Sequence, residues 1–444
     1  MLHPNKILDF ILNSSYETIL DQIDDIHPVD FLEALSEFEN DPIQVLEKLP
    51  DEYIGLLLDY AEDDEKFALL SHFSETRKGQ LISEMSSDEL VDLLGGLDLE
   101  DQNAILDNMN IEDANEVKGL LAYDPETAGG IMATEFIAIK ESFTINETIE
   151  YLRSMAPTSE TPYYIYVIND FDVLKGVVPL REIVISEPTT LIKDIMIEKI
   201  ISIPVDLDQE EVALMFDKYS FMAVPVVDHE GVILGIVTVD DVMEIMKDEY
   251  TEDMFRLAGL DETEKIDGSV KGAIKSRLPW LLVNLITAIL AAATVSLFEN
   301  TIAQIVALAT FMPIVAGMGG NAGTQTLTLI IRGIALGELT YENQKEILRK
   351  EILIGLINGL CLGVIVALLG YFWVGTAAFG FVIGLAMFLN LIVATFSGYY
   401  VPVILKKVGI DPALASAVFV TTVTDVLGFF FFLGLATIMI NFLI

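Results

Sequence analysis

Residues 313–325 read Pro-Ile-Val-Ala-Gly-Met-Gly-Gly-Asn-Ala-Gly-Thr-Gln, and residues 421–425 read Thr-Thr-Val-Thr-Asp. Both stretches interrupt long apolar runs. No charged residue lies between Asp411 and Asp425 or beyond Asp425. A carboxylate at that depth costs several kcal/mol, on the order of 3 or more, unless it faces water, a cation or a partner. The rest of the chain reads as apparatus around that acid.

Five apolar segments, near 279–298, 302–331, 352–373, 378–405 and 414–440, are each long enough to span a bilayer at about 20 residues. Lys271, Lys275 and Arg277 precede the first. Arg332, Lys345, Arg349 and Lys350 separate the second from the third, and Lys406 and Lys407 the fourth from the fifth. The other loops lack Lys and Arg, so the positive-inside rule predicts a multi-pass protein of the cell (inner) membrane, N-terminus cytoplasmic and C-terminus outside. Asp425 lies twelve residues past Ala413 and Gly320 twelve residues before Arg332. At 1.5 Å per residue both are roughly 18 Å from the cytoplasmic surface, and they can face one cavity.

Pro313 and the glycines favour a bent or opened second helix, with carbonyls lining a water-filled path. Close packing of small residues is the other reading of those glycines. Gly320, Asn321, Thr324, Gln325, Thr421, Thr422 and Thr424 would then supply neutral oxygens around Asp425. The four histidines lie outside this set, which disfavours zinc and copper. One carboxylate per chain, doubled in a dimer, suits a hydrated Mg2+ better than Ca2+, which wants several acids.

Upstream the composition changes. All but seven of the 68 acids, but 19 of the 25 bases, lie at or before Arg277, leaving a net charge of −42 on residues 1–277. That excess repels nucleic acid and anionic lipid and favours cations; the alternative is solubility alone. The single cysteine, Cys361, excludes a disulfide framework, and the start of the chain lacks a signal peptide's basic flank and apolar core.

Residues 7–122 have helical periodicity: Phe31, Leu32, Leu35 and Phe38, then Ile54, Leu57 and Leu58, then Leu90, Leu93 and Leu94. Pro28, Pro42, Pro50 and Gly95-Gly96 mark breaks. Asp88 and Asp92 share a helix face by spacing, calling for a metal ion or a basic partner unless both are simply solvated.

The middle of the chain is duplicated. Tyr166-Val-Ile-Asn169 through Val184 matches Pro225-Val-Val-Asp228 through Met243 at a constant offset of 59. Each unit is two β-runs around a polar turn with helices before and after. This resembles a tandem pair of CBS domains, regulatory modules that often dimerise and often hold adenine nucleotides. A purely structural role is the alternative. Beyond them, residues 240–257 are helix-compatible and carry Asp241, Glu244, Asp248 and Glu252 along one face, which Lys247 cannot neutralise. The segment either transmits a charge change to the first span or serves as a spacer.

The stretches around Gly319-Gly-Asn-Ala-Gly-Thr-Gln325, Asp411-Pro-Ala-Leu-Ala-Ser416 and Thr-Asp425, in this order of domains, resemble the MgtE family of magnesium channels. The resemblance covers the whole chain. It implies a multidomain membrane protein rather than an enzyme: an all-α acidic N-terminal domain (1–130), an α/β tandem CBS pair (131–246), a connecting plug helix (247–275) and a five-helix α transmembrane domain (276–444). It also implies a homodimer whose two Asp425 carboxylates bind hydrated Mg2+, and closure by cytosolic Mg2+. By motif position the closing ligands fall on Asp88, Asp92, Asp241, Glu244, Glu249, Glu252, Asp253 and Asp411. ATP at the CBS pair is a further expectation from the resemblance that no residue compels. The competing readings are a carrier of Co2+ or Mn2+ and a CBS membrane sensor without transport. An intramembrane aspartyl protease needs two membrane carboxylates in one site, whereas each chain supplies one.

Overall fold

A computed structural model of the chain describes residues 4–443 apart from residues 39, 62, 108, 156–162, 262, 263, 265, 267 and 415. Its contacts divide into two compact units, Met1–Ile245 and Met246–Ile444.

The first unit opens with short helices. Their apolar positions close a core in which Phe31, Leu35, Ile54, Leu57, Leu58, Leu90, Leu93 and Leu94 are buried. The prolines act as starts rather than stops. Pro28 is the first residue of helix Pro28–Ser36, and Pro50 immediately precedes helix Asp51–Asp59, where a missing N–H costs nothing. Helix α1, Ser87–Gly95, carries Asp88 and Glu89 in its first turn.

The repeat then folds twice into the same sheet. Strands β1 (Ala138–Lys140), β2 (Tyr164–Ile168) and β3 (Leu174–Pro179) pair parallel then antiparallel, as do β4 (Ile203–Pro204), β5 (Ala223–Val227) and β6 (Ile233–Thr238). The offset of 59 extends to fine detail. Bulges fall at Val167/Ile168 and Val226/Val227. The Asn169 side chain accepts from the N–H groups of Phe171 and Val173, and Asp228 does the same for Glu230 and Val232. The left-handed position of the turn is Asp172 (φ 59°) in one copy and Gly231 (φ 83°) in the other. Such turns use Asn, Asp and Gly because short side-chain acceptors and positive φ are what the chain reversal requires.

Helix α2, Val239–Ala258, crosses the division between the units. The second unit holds five long helices: α3 (Val270–Ser296), α4 (Ala307–Ala335), α5 (Gln344–Val374), α6 (Ala377–Val408) and α7 (Ser416–Ile438). Among the described residues, four candidate spans are long and apolar enough to cross a membrane: α3, α5, α6 and residues Ala417–Ile438 of α7. Helix α4 matches them in length, but glycines and polar residues dilute its centre. At the centre of the bundle α6 packs on α4, α5 and α7, and it buries Phe379, Val382, Ile383, Ala386, Met387 and Leu391. Gly355, Gly359 and Gly363, one turn apart on α5, let α6 approach closely; a Cβ at Gly363 would stand 2.8 Å from Gly384 O.

Pro313 and its glycines do not open α4, which is unbroken from Ala307 to Ala335, so of the two readings of the glycines the structure follows close packing at Gly319 and Gly323. A Cβ at Gly317 or Gly320, by contrast, would meet nothing within 4 Å. A Cβ at Gly319 would overlap Asn390, and one at Gly323 would stand 2.5 Å from the Val420 side chain.

Candidate ion path and cytosolic acidic sites

Helix α4 has two faces. Leu308, Phe311, Val315, Gly319, Gly323, Leu327 and Ile330 are buried in the bundle. Gly317, Asn321, Thr324, Gln325 and Thr328 recur at helical spacing on the opposite side and are exposed in the single chain. A polar stripe facing hydrocarbon leaves its amides and hydroxyls without partners, so in a membrane it has to meet water or protein. Gly320, half-buried, borders this stripe, and a Cβ built there meets nothing within 4 Å.

Helix α7 lies against α4, with Val420 and Thr424 at Gly323. This contact brings the Thr421–Asp425 turn to the level of the Gly320–Gln325 stretch, the depth match expected from counting residues. Asp425 and Thr421 are half-buried, and among the described residues Asp425 has neither a hydrogen bond nor an ion pair. The threonine hydroxyls donate to their own helix: Thr421 to Ala417 O at 2.9 Å, Thr422 to Val418 O at 2.6 Å and Thr424 to Thr421 O at 3.0 Å. Each keeps lone pairs for another donor. Thr424 departs from the expected ring of oxygens because it is fully buried on the face turned to α4. From α6, the fully buried Asn390 enters between Gly319 and Gly428 and donates to Val315 O at 2.9 Å. It ties the two helices together one turn from Asp425.

At the start of α7 the last turn of α2 meets the loop before α7. Leu257 packs against Leu327, Ile331, Ala413 and Val420. Arg256 is ion-paired to both Glu252 and Asp411. Asp253 is half-buried, and burial, with Asp411 and then Glu249 nearby, pushes its carboxyl up to about 6. Thus Glu249, Glu252, Asp253 and Asp411 gather at one end of the bundle. Arg256, one turn beyond Glu252 and outside the sequence expectation, offsets part of this negative charge through Glu252 and Asp411. A cavity of about 190 Å³, lined by Arg256–Gly259, Trp280, Asn284, Ala417, Val418 and Thr421, lies beside them.

In the first unit the acids converge on Asp88. It is buried, its Oδ1 has no hydrogen-bond partner, and burial raises its pKa, with Asp240 adding to the effect. Asp241 is held by Thr238, whose hydroxyl lies 2.5 Å from both Asp240 Oδ1 and Asp241 Oδ2. Burial followed by the Asp88 charge pushes Asp241 up to about 7. Asp59 is pushed up to about 7 and Glu89 to about 8, again chiefly by burial, although Lys66 opposes the shift in both. Glu135 accepts from Ser87 N at 3.1 Å and Ser87 Oγ at 2.8 Å, and burial raises it too. By contrast Asp92 is exposed and reaches the cluster through its charge on Glu89, while Glu244 and Asp248 are exposed.

No three carboxylates, histidines or cysteines stand close enough among the described residues to form a ready-made metal cage. The hard oxygen donors and the orphaned Asp88 oxygen nevertheless suit a hydrated Mg2+, which keeps most of its waters and needs one or two acids.

Three family models match the chain: MgtE, a divalent cation transporter, at residues 312–435; the MgtE intracellular N domain at 26–126; and the CBS domain at 192–248. The magnesium transporter MgtE of Enterococcus faecalis is 37% identical over 329 residues, covering 74% of this chain and 72% of that protein. The chain belongs to the MgtE family. MgtE of Thermus thermophilus is 36% identical over 330 residues, 73% of each chain. A crystal structure of the soluble part of a magnesium transporter is similar at a TM-score of 0.53 and 33% identity, over 56% of this chain and 98% of that one. The CBS family model reaches only the second copy. The first is secured by its matching sheet, bulge and turn.

In this MgtE chain the two kinds of glycine separate by experiment. Gly319→Ala, which forces a methyl into Asn390, should lower the melting temperature of the detergent-purified protein by several degrees, while Gly320→Ala should leave it unchanged. Equal effects would refute the packing assignment of α4.

Proposed function

We propose that the protein is a homodimeric, Mg2+-selective channel that imports Mg2+ across the cell membrane, with its N-terminus in the cytoplasm and its C-terminus outside. One observation carries the reading: a polar face of α4, exposed in the single chain, at the depth of the α7 carboxylate of Asp425, which has no ion pair among the described residues. A second copy would turn that face into the wall of a path. The names of its relatives, magnesium transporters, point to the ion.

In the path, Asn321, Gln325 and Thr421 offer neutral oxygens to the waters of a hydrated cation, and Gly320 leaves room for its shell. The two Asp425 carboxylates balance its charge. Loose hydration of the ion by neutral groups permits departure as well as entry.

Closure by cytosolic Mg2+ follows from the acids. Without the ion, Asp88, Asp241 and their neighbours repel one another, as do Glu249, Asp253 and Asp411. Bound Mg2+ offsets the repulsion and shifts the population toward the compact, closed arrangement, because a ligand favours the state that binds it better. Asp92, Glu244 and Glu252 are the further contributors. The working division into 1–130, 131–246, 247–275 and 276–444 assigns sensing to the first three segments and conduction to the last. ATP at the CBS pair would add a second input, checked by equilibrium dialysis of ATP against the purified chain.

Flux into proteoliposomes separates the ions. Mg2+ should enter, and excess Co2+ or Mn2+ should compete poorly. Preferred entry of either competitor would make the protein a carrier of that ion, and no flux of any would leave a membrane sensor.

A further inference from the structure

Helix α2 ends at the mouth of the second unit with a base already in place among the acids. We infer that Arg256 is a resident cation that competes with incoming Mg2+ for Asp411 and Glu252, and so sets the Mg2+ concentration at which the channel closes. The inference rests on the proposed closure by cytosolic Mg2+ and names the residue that tunes it.

The geometry is specific. One guanidinium nitrogen of Arg256 pairs with Glu252, one turn back on α2, and the other with Asp411 in the loop before α7. The planar guanidinium presents a different nitrogen to each of the two carboxylates. The adjacent Leu257 is fixed against Leu327, Ile331, Ala413 and Val420, so the fork is held in register by apolar packing. The other oxygen of Asp411, Oδ1, accepts from Ala413 N at 2.8 Å, which orients the carboxylate within its own loop. On the other flank, Asp253 faces Asp411 and Glu249, and among the described residues no base pairs with it. A divalent cation drawn to Asp253 and Asp411 must therefore share Asp411 with the guanidinium.

Two effects of opposite sign follow from removing the charge. Loss of the ion pairs loosens the end of α2 in the absence of metal. At this degree of exposure, with side chains 29%, 23% and 30% accessible, such pairs couple weakly, and metal-free flux should rise no more than about fivefold. Loss of the competitor also leaves Asp411 and Glu252 free for a doubly charged ion, which gains from both carboxylates. That effect should be the larger, about tenfold in Mg2+ affinity. A resident competitor thus differs from a mere structural clasp. Removing a clasp raises metal-free flux and the half-inhibiting Mg2+ concentration together, whereas removing a competitor raises the first and lowers the second.

The experiment is Mg2+ flux through full-length protein in proteoliposomes, with cytosolic-face Mg2+ varied, for wild type, Arg256→Gln and Arg256→Lys. Arg256→Gln should conduct more without cytosolic Mg2+ and be half-inhibited at a three- to tenfold lower concentration. Arg256→Lys, which keeps the charge, should stay within about twofold of wild type in half-inhibition. Half-inhibition unchanged or raised in Arg256→Gln overturns the inference. If wild type itself is not inhibited, the closure reading fails, and calorimetric Mg2+ binding to the full-length chain decides the Arg256 assignment: tighter binding in Arg256→Gln upholds it and equal binding ends it.

Discussion

Replacing Asp425 by Asn should abolish Mg2+ flux while leaving the fold intact. Asp425 has no partner among the described residues, so the change removes charge without breaking a contact. In a dimer it removes two charges from one path. If each is worth about 1.4 kcal/mol to a divalent ion, each is tenfold, and flux should fall on the order of 100-fold. The melting temperature should hold or rise, since a half-buried carboxyl becomes a neutral amide. Flux within twofold of wild type would remove Asp425 from the path, and a collapse in stability would make it a structural residue.

The second large effect concerns the acids around Asp88. With Asp59 at about 7, Glu89 at about 8 and Asp241 at about 7, these carboxyls sit well above their ordinary values in the folded unit. A group raised in this way opposes folding while it is ionised. The opposition is complete above about pH 8 and is relieved as pH falls through the folded-state values toward about 4, where the unfolded chain also takes up the proton. Metal-free protein should therefore show higher protection factors in α1, corrected for the base-catalysed intrinsic exchange rate, at pH 6 than at pH 8, and Mg2+ at pH 8 should supply comparable protection. The double change Asp88→Asn, Asp241→Asn should raise metal-free protection, abolish the increment from Mg2+ and leave the channel conducting at Mg2+ levels that close wild type. Lower protection factors on acidification, or an undiminished Mg2+ increment in the double variant, would show that this cluster is not a sensor.

Much of the fold could be read from the chain because it repeats or alternates. The offset of 59 between the CBS copies located both sheets, and their matched bulges and Asn169/Asp228 turns follow from the same local chemistry. The polar stretches at 313–325 and 421–425 stood out against apolar surroundings, and counting residues aligned their depths. What spacing cannot reveal is which other element a side chain meets. Spacing alone left the α4 glycines between opening the helix and close packing, and the structure decides for packing at Gly319 and Gly323, which give space to Asn390 and Val420, residues distant in sequence. Thr424 sits one position from Asp425 but a helix advances about 100° per residue, so it turns inward to α4. Asp59 and Glu135 gave no motif signal, since each joins Asp88 only through folding. Arg256 was visible as a base on an acidic helix, and the signal passed over was its spacing of four from Glu252.

The central claim is that the polar face of α4 borders an aqueous path for Mg2+. Its most direct test is a single cysteine at Asn321, introduced after Cys361→Ser removes the native thiol, exposed to a membrane-impermeant cationic thiosulfonate while Mg2+ flux is recorded. The path requires that the reagent modify the cysteine and block flux, and that Mg2+ slow the modification. An unreactive cysteine at Asn321 in a conducting protein, or full modification with undiminished flux, would contradict it.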